Sequence, residues 1–259
     1  MTFQMLISAV NADNNLLKTM NMDCDGVLVN QCDRDGCSKV DLNGHSVNVI
    51  NQNSRGVGLS RNTALLNATA DICLFADEDI VYEPGVESKV LQSFEEHKDA
   101  DLITFNVDVD ERRRTYFNQD FHPITWRNYG RYPAYAIAIR RSSVIDNNIK
   151  FSELFGGGAK YSNGEDSLFL HDCLKAGLVM YADTPLLGKE TYRESTWFKG
   201  YTEKFFFDRG VLYHFLYGRM ALIFGLRFLI VKRKEMLKEM SFLKAFSILR
   251  KGIKEGKSI

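Results

Sequence analysis

The chain has 259 residues, room for one large domain or two small ones with a proper core. An apolar share of 45% and a charged share of 25% place it among ordinary globular proteins, and no repeat or low-complexity segment stands out. The formal net charge is zero, so the whole-chain balance says nothing about partners; no nucleic-acid partner is expected. The five cysteines form no C-x-x-C pair, which argues against zinc, and their odd number fits reduced thiols in a cytoplasm-like compartment.

Phe3 to Val10 reads as a strand that starts at once, so the first residues look like the beginning of the fold and not a targeting segment. Asn11 to Asn15 breaks it, with Asp13 or Asn14 as the cap of a short helix over 16–22. Gly26 to Val29 is a second strand that ends near Asn30, Gln31 and Asp33. Asp35-Gly36 and Asn43-Gly44 are turn dipeptides, and Val47 to Ile50 is a third strand. Next comes a loop from Asn53 to Gly58, with Ser60 placed to cap a helix over 61–69. It carries no Gly-Lys-Ser/Thr and is not a P-loop. Asp71 to Ala76 is a fourth strand. A helix over 85–97 places Val86, Val90, Leu91 and Phe94 on one face, and 101–109 is another strand. A charged loop over 110–116 leads into an aromatic, irregular stretch over 117–135, better suited to packing on a sheet than to stacking on sugars. Residues 136–139 are strand-like, Gly156-Gly157-Gly158 marks a movable segment, a helix runs from about 165 to Gly177, and 178–181 is a short strand. Strands alternating with helices imply a parallel sheet with helices on its faces.

The fourth strand runs straight into Asp77, Glu78 and Asp79. A buried strand does not normally end in three like charges unless something offsets the repulsion. A divalent cation does so: Mg²⁺ and Mn²⁺ take carboxylate oxygens and keep positions open for phosphate oxygens. In an open α/β sheet, ligands sit beyond the carboxyl ends of the strands. These residues therefore suit a metal site holding a nucleotide diphosphate; an acidic solvated loop is the plain alternative. Asp166 sits near a helix N-terminus, where the dipole favours a carboxylate, and helix capping is its plain alternative.

In this order the chain resembles the family-2 glycosyltransferases of the GT-A fold, over roughly residues 3–205. Gly58-Leu59-Ser60-Arg61-Asn62-Thr63-Ala64-Leu65 is similar to the family's Ser/Ala-Arg-Asn helix start. Leu74 to Asp79 is similar to its strand and Asp-x-Asp metal motif, and Gly164-Glu165-Asp166-Ser167-Leu168-Phe169 to the motif with its catalytic base. The family's Asp-Asp-Gly-Ser after the second strand is missing; Asn30, Gln31 and Asp33 stand near that place, where an amide can pair with the base.

The resemblance implies a Rossmann-like mixed α/β sheet flanked by helices, and an inverting, metal-dependent hexosyltransferase of bacterial cell-surface polysaccharide synthesis. The donor is a nucleotide-diphosphate sugar, with UDP expected, and the acceptor a hydroxyl of a glycan or lipid-linked glycan. Asp79 is the implied Mn²⁺ or Mg²⁺ ligand, and Asp77 contacts the ribose or reaches the metal through water. Ser8, Val10, Asn30, Asn53, Arg61, Asp77 and Glu78 are the implied nucleotide-sugar contacts. Asp166 is the implied general base, with Glu165 beside it; the dipole lowers its pKa, so Glu165 or burial must raise it again.

Residues 1–205 are expected to form the catalytic domain and 206–259 a helical tail. From Gly225 to Ile259 there are ten Lys/Arg against three Glu. Val211 to Val231 is very apolar, but His214, Arg219 and Arg227 interrupt it, which suits an amphipathic helix lying in a membrane interface better than one crossing it. A second amphipathic pattern follows at Met236, Leu237, Met240, Leu243, Phe246 and Leu249. The tail is expected on the anionic inner face of the cell membrane, as a peripheral attachment of a cytoplasmic protein; packing on the catalytic domain or a homodimer contact is its other use. Two other functions fit parts of the chain. Asp23-Cys24-Asp25-Gly26 matches the Asp-x-Asp-Gly pattern of haloacid dehalogenase-like phosphatases, although no good strand precedes it. A non-catalytic, membrane-attached scaffold retaining the fold is the third.

Overall fold

The computed structural model describes residues 1–111, 114–191, 200–236 and 240–259. Arg112 and Arg113 of the expected charged loop, and Leu237 of the second amphipathic pattern, lie outside the described residues. Contacts group the chain into two units, Met1–Glu153 with Glu165–Arg193, and Leu154–Gly164 with Glu194–Ile259. This division falls before 205, and it places the glycine-rich segment with the tail helices.

The first unit is built on a sheet of ten strands. In chain order they are β1 (Phe3–Val10), β2 (Gly26–Gln31), β3 (Gly36–Leu42), β4 (His45–Gln52), β5 (Ile72–Asp77), β6 (Ile80–Tyr82), β7 (Leu102–Asp108), β8 (His122–Pro123), β9 (Ile137–Arg140) and β10 (Met180–Glu190). The path is β3-β4-β2-β1-β5-β9-β7-β10-β6, with β8 paired to β10. β4, β2, β1 and β5 are parallel, while β9 runs antiparallel to both β5 and β7. The sheet is therefore mixed, not wholly parallel. Its central strands are buried on both faces, as their unbroken apolar runs require.

Five helices accompany the sheet: α1 (Leu16–Thr19), α2 (Val57–Asn67), α3 (Val86–Glu96), α4 (Arg141–Asp146) and α5 (Glu165–Lys175). α3 buries Val86, Val90 and Phe94 into a core shared with Leu74, Ile103 and Leu187. Asn15, not Asp13 or Asn14, is the cap residue of α1; Asp13 instead accepts the N–H of Asn15. Ser60 does not cap α2, which begins earlier at Val57 behind Gly56. Three strands are not legible in the sequence: β3, β6 and the two-residue β8 within the stretch expected to be irregular. β3 has an almost wholly exposed polar face and is held by pairing with β4 through the Asn43-Gly44 turn, where both φ values are positive. β6 is three residues long and exists through its ladder with β10.

In the second unit α6 (Glu203–Tyr217), α7 (Ala221–Met236) and α8 (Phe242–Gly256) pack together. Thr202 and Ser241 cap α6 and α8. α6 and α8 meet through Gly210 and Gly252: a Cβ on Gly210 would stand 2.1 Å from the Leu249 carbonyl oxygen. The 154–164 segment is anchored by Ser162, whose N–H donates to buried Asp208, and by the Phe155 ring against Phe215. On α8 the buried residues include Ala245, Leu249 and Ile253, whereas Leu243, expected on the apolar face, is 77% exposed. Among the described residues one helical stretch, Glu203–Lys234, is long and apolar enough by composition to cross a membrane.

Candidate active site

Three motifs meet on one buried guanidinium. α2 can enter close to the 151–153 backbone because Gly58 has no side chain; a Cβ there would lie 2.2 Å from the Ser152 carbonyl oxygen. Asn62 completes the attachment: its Nδ2 donates to the Phe151 carbonyl at 2.9 Å, and the Phe151 N–H donates to its Oδ1 at 2.8 Å. The Phe151 ring stacks on Phe169 of α5 at 4.2 Å and meets Phe75 of β5 edge-on at 4.9 Å. This aromatic triad joins α2, β5 and α5 beneath Arg61, whose guanidinium lies 5.2 Å over Phe151.

Arg61 is 3% exposed. Its Nη2 donates to both Asp77 oxygens, at 2.9 and 3.2 Å, and its Nη1 to Glu165 at 3.2 Å and Asp166 at 3.1 Å. Burial opposes its charge, but Asp77, Asp166 and Glu165 more than offset that and raise its pKa. Burial first and Glu165 second push the pKa of Asp166 up, against the pull of Arg61.

Asp79 is treated differently. It has no ion-pair partner among the described residues, and burial, Asp77, Glu190 and Glu78 raise its pKa to about 6. Its carbonyl accepts the N–H and the hydroxyl of Thr191, at 2.7 and 2.9 Å, which brings the end of β10 and Glu190 to the site. Asp79, Glu78 and Val10 line one cavity of ≈ 180 Å³, together with Ala12, Asp13 and Thr191. Among the described residues no three His, Cys, Asp or Glu side chains gather into a cage for a metal ion. Mg²⁺ and Mn²⁺ do not need one when one or two carboxylates and substrate phosphates supply the oxygens. The uncompensated carboxylate of Asp79 beside an open cavity fits that donor set.

The other expected residues have individual places. The Ser8 hydroxyl accepts from Ser60 at 3.0 Å, and Ser8 pairs with Asp77 in the β1–β5 ladder. The Val10 N–H donates to Glu78 at 3.1 Å. Asn30 is buried: its Oδ1 accepts the Ala12 N–H and its Nδ2 donates to Asn51, while Gln31 accepts the N–H of Gly56. Both amides expected to pair with a base are thus engaged within the protein, Asn30 with the Ala12 backbone of the cavity wall and Asn51, Gln31 with the loop before α2. Asn53 is exposed, with its N–H donating to Asp35, and joins neither the Arg61 cluster nor the cavity lining. Tyr135 escaped the sequence reading. Its pKa is raised by burial, then by Glu190, Asp77, Asp166 and Asp79, so its ionisation is linked to the site carboxylates. Its only signal was membership of the aromatic run, where Tyr129 and Tyr132 are indeed packed away. Asp23 and Asp25 lie at the opposite, amino end of β2, where they accept the N–H groups of Gly85 and Ser46. The phosphatase reading falls with that placement, because those carboxylates are spent on the backbone and stand before a strand instead of at the end of one.

Residues 9–150 match glycosyl transferase family 2. The chain belongs to that family. No curated protein matches it. Among solved structures, the glycosyltransferase is similar to S. aureus TarS 1-349 in complex with UDP-GlcNAc, at 17% identity and a TM-score of 0.65, over 92% of this chain and 74% of that one. It is also similar to S. aureus TarS 1-349 in complex with UDP, at 17% identity and a TM-score of 0.56, over 100% of this chain and 72% of that one. At such identities the likeness speaks for the fold, which is the GT-A arrangement expected from the motifs. In this transferase the matched stretch carries Arg61, Asp77 and Asp79, while Glu165 and Asp166 reach the site from beyond it.

Proposed function

We propose that this glycosyltransferase moves a hexosyl group from a UDP-sugar to an acceptor hydroxyl with inversion, in the building of a cell-surface glycan. The observation that carries the reading is the Arg61 hub, which holds Asp77, Glu165 and Asp166 together at the carboxyl edge of the sheet beside uncompensated Asp79. The UDP and UDP-GlcNAc complexes of S. aureus TarS support the choice of nucleotide.

In this reading Asp79 holds Mn²⁺ or Mg²⁺, with Asp77 as an outer contact already fixed by Arg61. The bound cation would neutralise charge developing on the leaving diphosphate. Asp166 takes the proton of the acceptor hydroxyl as its oxygen bonds to the anomeric carbon; the bond to the diphosphate breaks, and UDP leaves with the electron pair. A raised pKa suits a base that works near neutrality. Arg61 limits the repulsion between Asp166 and Glu165 and fixes their geometry. The helical unit is proposed to rest on an anionic membrane surface, which would bring the site to a lipid-linked acceptor; a homodimer through those helices is the competing use.

The test is donor hydrolysis across UDP-, GDP- and dTDP-sugars with Mn²⁺, with and without EDTA, beside Asp79→Ala. Slow release of UDP, lost with EDTA and in the variant, supports the reading. Release of a different nucleotide would overturn the choice of UDP, and turnover indifferent to EDTA would remove the metal.

A further inference from the structure

α7 is a poorly covered helix. It buries a narrow stripe, Ala221, Gly225 and Leu229, and Gly225 admits Leu249 of α8 so closely that a Cβ would lie 2.5 Å from its Cδ2. Positions 222, 223, 226 and 230 fall within about 100° of one another on a helix. They carry Leu222, Ile223, Leu226 and Ile230, exposed by 42, 62, 38 and 50%. Such a continuous apolar face marks an interaction surface.

At one end of that face lies a cavity of ≈ 350 Å³ walled by Arg219, Arg250, Lys254 and Lys257, with Leu222 and Ile253 as its apolar lining. None of the four cations has a carboxylate partner among the described residues. Glu255, the acid nearest in sequence, is held by Lys160 and the Tyr161 hydroxyl. Like charges gathered around a concave wall repel one another until an anion enters. Leu222 belongs both to the cavity wall and to the apolar face, so the two are continuous. A free phosphate would use only the cavity. A molecule with a phosphate at one end and acyl chains at the other would use both.

We infer that the Arg219–Arg250–Lys254–Lys257 cavity is a binding site for the phosphate of an anionic phospholipid headgroup, with the exposed face of α7 against the acyl region. The inference deepens the surface-binding reading above and rests on it. It adds that attachment is focused on one pocket instead of spread over every basic residue of the tail. Arg233 and Lys234 lie on α7 outside the cavity and provide a control of equal charge.

The experiment is co-sedimentation of the full chain with vesicles of equal parts phosphatidylglycerol and phosphatidylcholine, and with phosphatidylcholine alone. Each basic residue near such a surface contributes about fivefold in partition, so Arg250→Gln with Lys254→Gln should lower it roughly 30-fold. Arg233→Gln with Lys234→Gln should lower it far less. All four residues are exposed, so folding is expected to persist, and circular dichroism checks it. Equal losses in the two double variants would overturn the pocket and leave general surface attraction standing. Equal binding of the wild type to both vesicle types, or displacement from them by inorganic phosphate at low concentration, would overturn the lipid headgroup. No binding to any vesicle would remove the membrane reading as well, while UDP release measured on the same protein reports separately on the transferase.

Discussion

Two of the chain's Asp-x-Asp stretches, Asp23-Cys24-Asp25 and Asp77-Glu78-Asp79, lie at opposite ends of one set of parallel strands. At the amino end, Asp23 and Asp25 each accept a backbone N–H and complete the turns around Gly85 and Ser46. At the carboxyl end Asp77 is held by Arg61 from α2, and the Asp79 carboxylate is left without an ion-pair partner among the described residues. The same residue pattern is structural where the backbone consumes it and chemical where burial leaves charge unbalanced. Location in the sheet decides, because successive parallel strands converge their loops at the carboxyl end.

The largest break in this comparison should come from Arg61→Ala. Removing a buried partner of three carboxylates costs about 3–5 kcal/mol, and we expect a large fall in urea midpoint with loss of turnover. A midpoint unchanged from wild type would mean that the hub does not hold the motifs together. Asp79→Ala is expected to lower kcat/KM by about 10²–10³-fold with the fold intact. Steady-state kinetics on the UDP-sugar will show it, and a variant within a few-fold of wild type would remove Asp79 from the chemistry.

Asp166 sharpens the comparison through pH. As a base it works deprotonated, so kcat/KM should fall as pH drops through its raised pKa, with a limb above the ordinary carboxylate value of about 4. For stability the sign runs the other way. The folded state binds this proton more tightly than the unfolded chain, so stability declines as pH rises from the ordinary carboxylate range through the raised pKa. Asp166→Asn should therefore lose turnover by about 10²–10⁴-fold without a lower melting temperature at neutral pH. A clear drop in melting temperature would make Asp166 structural. The smallest effect is expected at the other end of the sheet. Asp23→Ala should cost about 1 kcal/mol in chemical denaturation and leave kcat/KM within about twofold of wild type, well short of what losing an acid–base group does. A collapse of activity there would restore the phosphatase motif to consideration.

Much of this molecule was legible from the chain alone. The apolar runs of β1, β2, β5 and β7 announce themselves because strands buried on both faces can tolerate little else. The spacing of Val86, Val90 and Phe94 marks α3 for the same reason, and the Ser-Arg-Asn, Asp-x-Asp and Glu-Asp motifs stand out locally. What they do to one another is not local. Arg61 lies 104 residues from Glu165, and only the packing of α2 and α5 on the Phe75–Phe151–Phe169 triad brings the two side chains to 3.2 Å. Asn62 seemed one more motif residue until its two bonds to Phe151 appeared. Asn30 looked like a free amide because a sequence does not show hydrogen-bond partners. β3 has no burial pattern of its own and exists through its ladder with β4, while β6, with Ile80 and Tyr82 buried, is too short to stand out. The sequence by itself thus determined the elements whose burial is written in their own periodicity, together with the chemistry available. Tertiary structure alone decided which carboxylates are compensated, since charge balance depends on what folding brings within a few ångströms.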